Sequence, residues 1–483
     1  MSEKKKLGAG VKRYIHIAVM LAITLGIGFL CPTFGQVTRF GMRVLGVFVG
    51  VLYGWIAFDL IFSSIFGYVM LAAIGIMPAA DALVTGFGNS NLVVVMAAMV
   101  FNGALDACGV TTAIANFLVS RKMFRKNPWL LVIGLIGSSY IMGLMGVHLA
   151  ACFLLWAVVV KIADENNIPK GDSFITFMIL MICAAGFAGI FSLPFRATSM
   201  IFESYFINTM QMQFDTAAFV VVAVSFSVCV LSLMILLGKF VFRLDASKFV
   251  MNDKVVERYA AATVNSKQKI GLVTLIGYMV ILLLPSFFSN MPGAAFINSL
   301  GVGGMSCVGM LVLAAISVKD EPIVSLTKTW AKSIDWNLIL LLSVTFPIAE
   351  VMRSADAGIM ATVVGFMKPI VTAMGINGFM IVSMLLLGIL TQVTHNIVLA
   401  AMFTPFLCPL IQQMGGNPYV MWFLMYFSLN ASYVTPAASF QSAMVHGHER
   451  VSSKWCYIIG SAYSVITWII LILVTIPLAN ALC

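Results

Sequence analysis

Four short stretches of this sequence carry residue types that bind ions or polar solutes rather than only pack. Gly143-Leu-Met-Gly146-Val-His148 sets a histidine behind two glycines. Gly186-Phe-Ala-Gly189-Ile-Phe-Ser192-Leu-Pro194-Phe-Arg196-Ala-Thr198-Ser199 ends an apolar run with glycines, a proline and an arginine. Thr391-Gln392-Val-Thr394-His395-Asn396 gathers amide, hydroxyl and imidazole groups. Ser428-Leu-Asn430-Ala-Ser432-Tyr-Val-Thr435-Pro436-Ala-Ala-Ser439-Phe-Gln441-Ser442 is polar but uncharged. Glycine and proline interrupt a helix, exposing carbonyls that suit a cation and helix starts that suit an anion. A guanidinium matches the fork of a carboxylate or sulfate. An imidazole donates to an anion or relays a proton. Neutral amides and hydroxyls suit a desolvated ion or a polar substrate. Each stretch also has a plainer reading: a proline kink, a helix-end arginine that reaches the interface or pairs with Glu203, a buried structural histidine, or hydrogen bonds that join helices.

The elements that must position these residues follow from composition. The 483 residues are 61% hydrophobic and only 10% charged, against about 25% charged in a soluble protein. Mean hydropathy is +1.03, and several apolar runs reach the roughly 20 residues that cross a bilayer. The run after Lys4–Lys6 lacks a small-residue cleavage site before Pro32 and reads as a retained first helix. The net charge of +10 comes from lysines and arginines gathered in short loops. That is a topology signal rather than a nucleic-acid surface. The main basic clusters are Lys4–Lys6 with Lys12 and Arg13; Arg121, Lys122, Arg125 and Lys126; Arg243 to Lys269, including Lys254 and Arg258; Lys319, Lys328 and Lys332; and Arg450 with Lys454. The nine cysteines form no CxxC pair and no zinc spacing, and read as small packing residues. Neither a Walker A motif nor a dinucleotide fingerprint is present.

Two apolar segments are too long for one straight helix and carry polar interruptions. They read as re-entrant hairpins at about 129–165 and 378–414, a backbone tolerated in a membrane only under cover of protein or a water-filled cavity. Each precedes a broken helix, at about 173–207 and 418–445. Asn91-Leu-Val-Val-Val resembles Asn337-Leu-Ile-Leu-Leu, and a hairpin and a proline-bearing break follow each at similar spacing. A cytoplasmic N-terminus places every major basic cluster inside and the C-terminus outside, so the two copies enter from opposite sides. The expected fold is an all-α polytopic membrane protein with about 11 transmembrane segments, an inverted repeat, two re-entrant hairpins and two broken helices. Inverted repeats with interrupted helices mark secondary transporters. The expected division is N-terminal scaffold helices at 1–78, a first repeat at 79–242, a cytoplasmic loop at 243–269, scaffold helices at 270–335 and a second repeat at 336–483.

This order of parts resembles the divalent anion:sodium symporter family of the ion transporter superfamily, over nearly the whole chain from about residue 40. The resemblance is carried by Asp335-Trp336-Asn337, by Thr391-Gln392-Val-Thr-His-Asn396 leading to Thr404-Pro405, and by the breaks ending in Pro194 and Pro436. It implies a homodimer with a fixed scaffold and a moving transport domain, in which each hairpin tip helps bind sodium and a substrate carboxylate. The family's Ser-Asn-Thr tips read Val147-His148-Leu149 and His395-Asn396-Ile397 here, so only Asn396 matches. The first break reads Ser192-Leu-Pro194-Phe-Arg196.

The expected function is a secondary transporter, symporter or exchanger, of small anions, most readily di- or tricarboxylates, coupled to Na+ or H+. It is not expected to be an enzyme. Substrate would meet His148, Arg196, His395, Asn396, Thr435 and Pro436. The coupling ion would meet Gly146, Gly189, Ser192, Thr394, Asn430 and Ser432. No cofactor is expected beyond Na+ as coupling ion. The partners expected are the anion, the lipid bilayer and a second copy, with no nucleic acid, and the location is the inner membrane. Two alternatives are a carrier of a non-anionic solute and a non-transporting sensor or subunit of the same fold.

Overall fold

A computed structural model describes residues 9–110, 113, 127–146, 148–249, 264–288, 290–318 and 321–483. Lys4–Lys6, Arg121, Lys122, Arg125, Lys126, Val147, Lys254, Arg258 and Lys319 lie outside these residues. The described part is all-α apart from one short antiparallel pair, Ser317–Val318 with Glu321–Pro322. Eleven of its helices are long and apolar enough to cross a membrane. The protein is an all-α polytopic membrane protein.

The chain opens with α1 (Ala9–Leu25), α2 (Arg39–Ala57), α3 (Leu60–Ala73), the short α4 (Ala79–Phe87) and α5 (Ser90–Ala107). Two helices joined by a tight turn follow, α6 (Pro128–Leu144) and α7 (His148–Glu165). Next come α8 (Ser173–Phe191), a break at 192–196, α9 (Ala197–Met210) and α10 (Thr216–Leu236). Beyond the loop stand α11 (Ser266–Phe287), α12 (Ala294–Ala315), the short α13 (Leu326–Ser333) and α14 (Trp336–Arg353). The long α15 (Ile359–Leu390) is divided at Gly375, whose φ of +72° is not helical. A five-residue turn leads into α16 (Asn396–Gln413), then α17 (Pro418–Asn430), a second break, the short α18 (Phe440–His446) and α19 (Ser453–Ile470), which continues to Leu482.

Small polar residues set where these helices begin, because a side-chain oxygen satisfies one of the free N–H groups of a first turn. Asn89 accepts the Asn91 N–H at the start of α5, and Asp335 accepts the Asn337 N–H at the start of α14. Asn127 and Asn417 each cap a helix that opens with proline, Pro128 and Pro418. Proline fits there because its missing N–H would be unpaired anyway.

The core lies on α8. Every residue from Phe174 to Phe191 is buried, so a helix apolar on all sides is enclosed by protein rather than lipid. Its closest neighbour is α6. A Cβ on Gly143 would stand 2.1 Å from the Gly186 carbonyl oxygen, and one on Gly189 would stand 2.2 Å from the Tyr140 carbonyl oxygen. The two backbones therefore meet directly through small residues, as membrane helices do where no side chain intervenes.

At the end of the molecule carrying Lys170 and Arg450, the two halves are fastened together. The buried Arg450 donates to the Ile168 carbonyl at 2.8 Å and pairs with the Asp164 carboxylate. The Gly171 N–H meets the Arg450 carbonyl at 3.1 Å. Lys170 sits 2.8 Å from Glu449 and, through that hydrogen bond and its charge, holds the exposed carboxyl below its ordinary range. The exposed pair is present above that range and is lost as pH falls through it; solvent leaves it a minor contribution.

Candidate substrate and ion site

The first hairpin closes on Gly146, with φ +84°. Its tip is held by Arg196, the residue that precedes α9. The guanidinium donates to the Leu144 carbonyl at the end of α6 and, at 3.2 Å, to Asn102 Oδ1 on α5. A cation at a helix C-terminus satisfies an orphan carbonyl and opposes the negative end of the helix dipole. Arg196 is 1% exposed, and its Nε has no hydrogen-bond partner. A Cβ at residue 146 would stand 2.7 Å from its Nη1, so only glycine leaves room for the guanidinium. No ion pair joins Arg196 to Glu203 among the described residues, so the partnership weighed from sequence is replaced by one with the hairpin tip. His148 begins α7 at the same tip. Its ring meets Phe187 edge-on at 4.7 Å, and its buried Nδ1 has no partner.

The second tip is sewn to the second break by more bonds. Gln392 Nε2 donates to the carbonyls of Gly388 and Ala431 at 3.0 and 3.1 Å, and its Oε1 accepts the Val434 N–H at 3.1 Å. Thr391 donates to the Leu429 carbonyl at 2.9 Å, and Thr435 donates to the Gln392 carbonyl. Asn396 Nδ2 donates to Asn430 Oδ1 at 2.8 Å. His395 precedes α16, with its buried Nδ1 unpartnered like that of His148.

The two breaks also meet. Ser199 and Tyr426 share a hydrogen bond of 2.8 Å, and the Tyr426 hydroxyl reaches the Phe191 carbonyl at 3.0 Å. Asn430 donates to the Tyr426 carbonyl at 2.7 Å. A hydrogen-bonded chain thus runs from the start of α9 through Tyr426 to Asn430 and Asn396. Beside it lies a cavity of about 10 Å³ bounded by Ala188, Ser227, Asn430, Ala431 and Thr467. That is room for one water or one small ion, and the buried Thr467 hydroxyl next to it is unpartnered.

The structure therefore gathers Gly146, His148 and Arg196 at one tip, and Asn396, Asn430 and Thr435 at the other. Ser192 lies behind the first break, bonded to the Ala188 carbonyl, Ser227 and Tyr140. The Ser432 hydroxyl is buried and unpartnered, and Thr394 is half-buried at the second tip. Gly189 stands at the crossing of α6 and α8, its carbonyl taken by the Ser192 N–H at 3.2 Å. Pro436 is exposed. Sequence reading did not single out Gln392 or Asn102 as site residues. Gln392 stood in a quoted stretch, but its bonds join it to residues some forty positions away. Asn102 is an isolated amide in an apolar helix, with no local signal.

Three helices of at least fourteen residues, α7, α9 and α16, begin at these tips and breaks. Helix starts carry partial positive charge. Helices ending at Leu144, Phe191, Leu390 and Asn430 bring carbonyl ends to the same places, so N–H groups that suit an anion and carbonyls that suit a cation lie side by side. Residues 48–428 match the family model CitMHS, whose description is citrate transporter. No curated protein matches the chain.

Proposed function

We propose that this chain, which belongs to the citrate transporter family, is a secondary carrier that moves small di- or tricarboxylates across the inner membrane, coupled to Na+ or H+. Membership of that family supports a transporter rather than an enzyme and is consistent with the ion transporter superfamily. The observation that supports the finer reading is the interlocked pair of hairpin tips and breaks, with Arg196 and one helix start at the first tip and a hydrogen-bonded chain from the start of α9 to Asn396 at the second. A carboxylate would bind where those helix starts supply free N–H groups and where His148 and His395 hold unpartnered nitrogens. A coupling Na+ would bind beside Asn430 and Ser432, where unwound backbone and hydroxyls gather.

The bonds through Tyr426 and Gln392, and the Arg450 fastening, tie both hairpins and both broken helices into one unit. That unit is the moving domain of an elevator; the remaining helices are its scaffold and the site of homodimer contact. The N-terminus lies in the cytoplasm and the C-terminus outside.

Binding is testable before transport. In detergent, citrate and succinate are expected to stabilise the fold by about 2.7 kcal/mol at a hundred times Kd, read as a higher unfolding midpoint. Neutral sugars and ammonium compounds are expected to leave it unchanged. A shift produced by the neutral or cationic compounds and not by any carboxylate would remove the anion from this reading.

A further inference from the structure

A second cavity adjoins the first break. It measures about 500 Å³ and lies between α5, the first break, α9, α11 and α12. Most of its polar lining is neutral, with Asn91, Ser204, Gln213 and Asn298. The exception is Glu203, the one acidic or basic side chain among the described residues on its wall. Glu203 is 9% exposed, and its Oε1 is buried with no hydrogen-bond partner.

Among the described residues no cation pairs with it. Arg196, two turns earlier on α9, is committed to Leu144 and Asn102. Arg353 of α14, beside Glu350, is committed to the carbonyls of Thr209 and Ala349. Lys267 and Lys269 stand in the first turn of α11, at the opposite end of that helix from Leu282 on the cavity wall. Tyr205 on α9 has an unpartnered hydroxyl, while Tyr278 on α11 is bonded to Ser306. From α17, Tyr426 is bonded to Ser199 and Tyr419 to the Gln213 carbonyl. Helix α16 adds the buried thiol of Cys408, and α8 that of Cys183. On α5, Asp106 stands at the end opposite Asn91.

A carboxylate enclosed without a counter-ion is costly, and binding one proton removes the charge outright. A metal cation needs several converging oxygens. No group of three or more acidic, histidine or cysteine side chains placed to hold a metal ion occurs among the described residues. The place on α9 matters as well. Seven residues of helix, about 10 Å, join Glu203 to Arg196 and so to the first hairpin tip. A movement of that tip carries the carboxylate with it.

We propose that Glu203 is the group that takes up and releases a proton in each transport cycle. This rests on the carrier reading above. A proton from the water of the cavity adds to the carboxylate, the neutral acid moves with α9, and the same proton leaves to water on the other side.

Two measurements on the full-length protein test it. Infrared difference spectra against pH, with no substrate present, are expected to show a protonated-carboxyl band that vanishes as pH is raised. The band should be missing in Glu203→Gln and shifted in Glu203→Asp. Identical spectra for wild type and both variants would overturn the proposal, whatever the substrate proves to be. In proteoliposomes, Glu203→Gln is expected to lose citrate accumulation driven by a pH gradient while keeping citrate counterflow, and Glu203→Asp to keep both. Accumulation by Glu203→Gln equal to wild type would also overturn it. Absence of citrate counterflow in the wild type would instead sink the carrier reading and leave the infrared result to judge Glu203.

Discussion

Gly189→Val is expected to abolish transport and to shift the protein from a single folded species to aggregate on size exclusion. The valine Cβ would lie 2.2 Å from the Tyr140 carbonyl oxygen and 2.7 Å from the Leu144 amide nitrogen. Both are backbone atoms of α6, so no side chain can rotate away. The helices must separate, and α8 is buried along its whole length, so the separation spreads through the core. Overpacking of this kind costs about 3 kcal/mol or more. Gly137→Ala is the matched control on α6: a Cβ there meets nothing within 4 Å. It is expected to express and transport as wild type. Equal behaviour of the two variants in size exclusion and uptake would contradict the close crossing.

Arg196→Gln is expected to lose transport, and its cost is expected to fall first on stability. Two charge-assisted hydrogen bonds disappear, leaving the Leu144 carbonyl and Asn102 without that donor. The expected loss is about 3–5 kcal/mol, read as a lower denaturation midpoint without any ligand. Arg196→Lys keeps the charge but reaches one acceptor at a time, and is expected to fall between. A residue that only gripped substrate would behave differently: the unliganded midpoint would stay at the wild-type value while ligand stabilisation vanished.

Much of the architecture was legible because it rests on local chemistry. Low charge and long apolar runs required a membrane fold. Asn and Asp before helix starts, proline at first helical positions and glycine at turns marked where elements begin and end. The broken helices could be found because Ser192-Leu-Pro194 and Val434-Thr-Pro436 cannot continue a helix. The partners of the site residues were not legible, because they are set by tertiary contact. Arg196 offered three readings in sequence: a fork for substrate, an interfacial charge or a partner of Glu203. The bond to the Leu144 carbonyl depends on how the first hairpin tip meets α9, and no spacing encodes that. Gln392 reaches Ala431 and Val434 across the second break for the same reason. Glu203 was visible as the acidic residue inside an apolar segment, but the cavity beside it comes from α5, α11 and α12 packing around α9.

Uptake of labelled citrate into proteoliposomes, with sodium and pH gradients imposed separately, tests the central claim most directly. The account predicts accumulation above equilibrium when protons enter down their gradient, competition by other small carboxylates, and none of this in liposomes bearing Gly189→Val. No uptake of any carboxylate under either gradient, from protein that is folded by size exclusion, would contradict it.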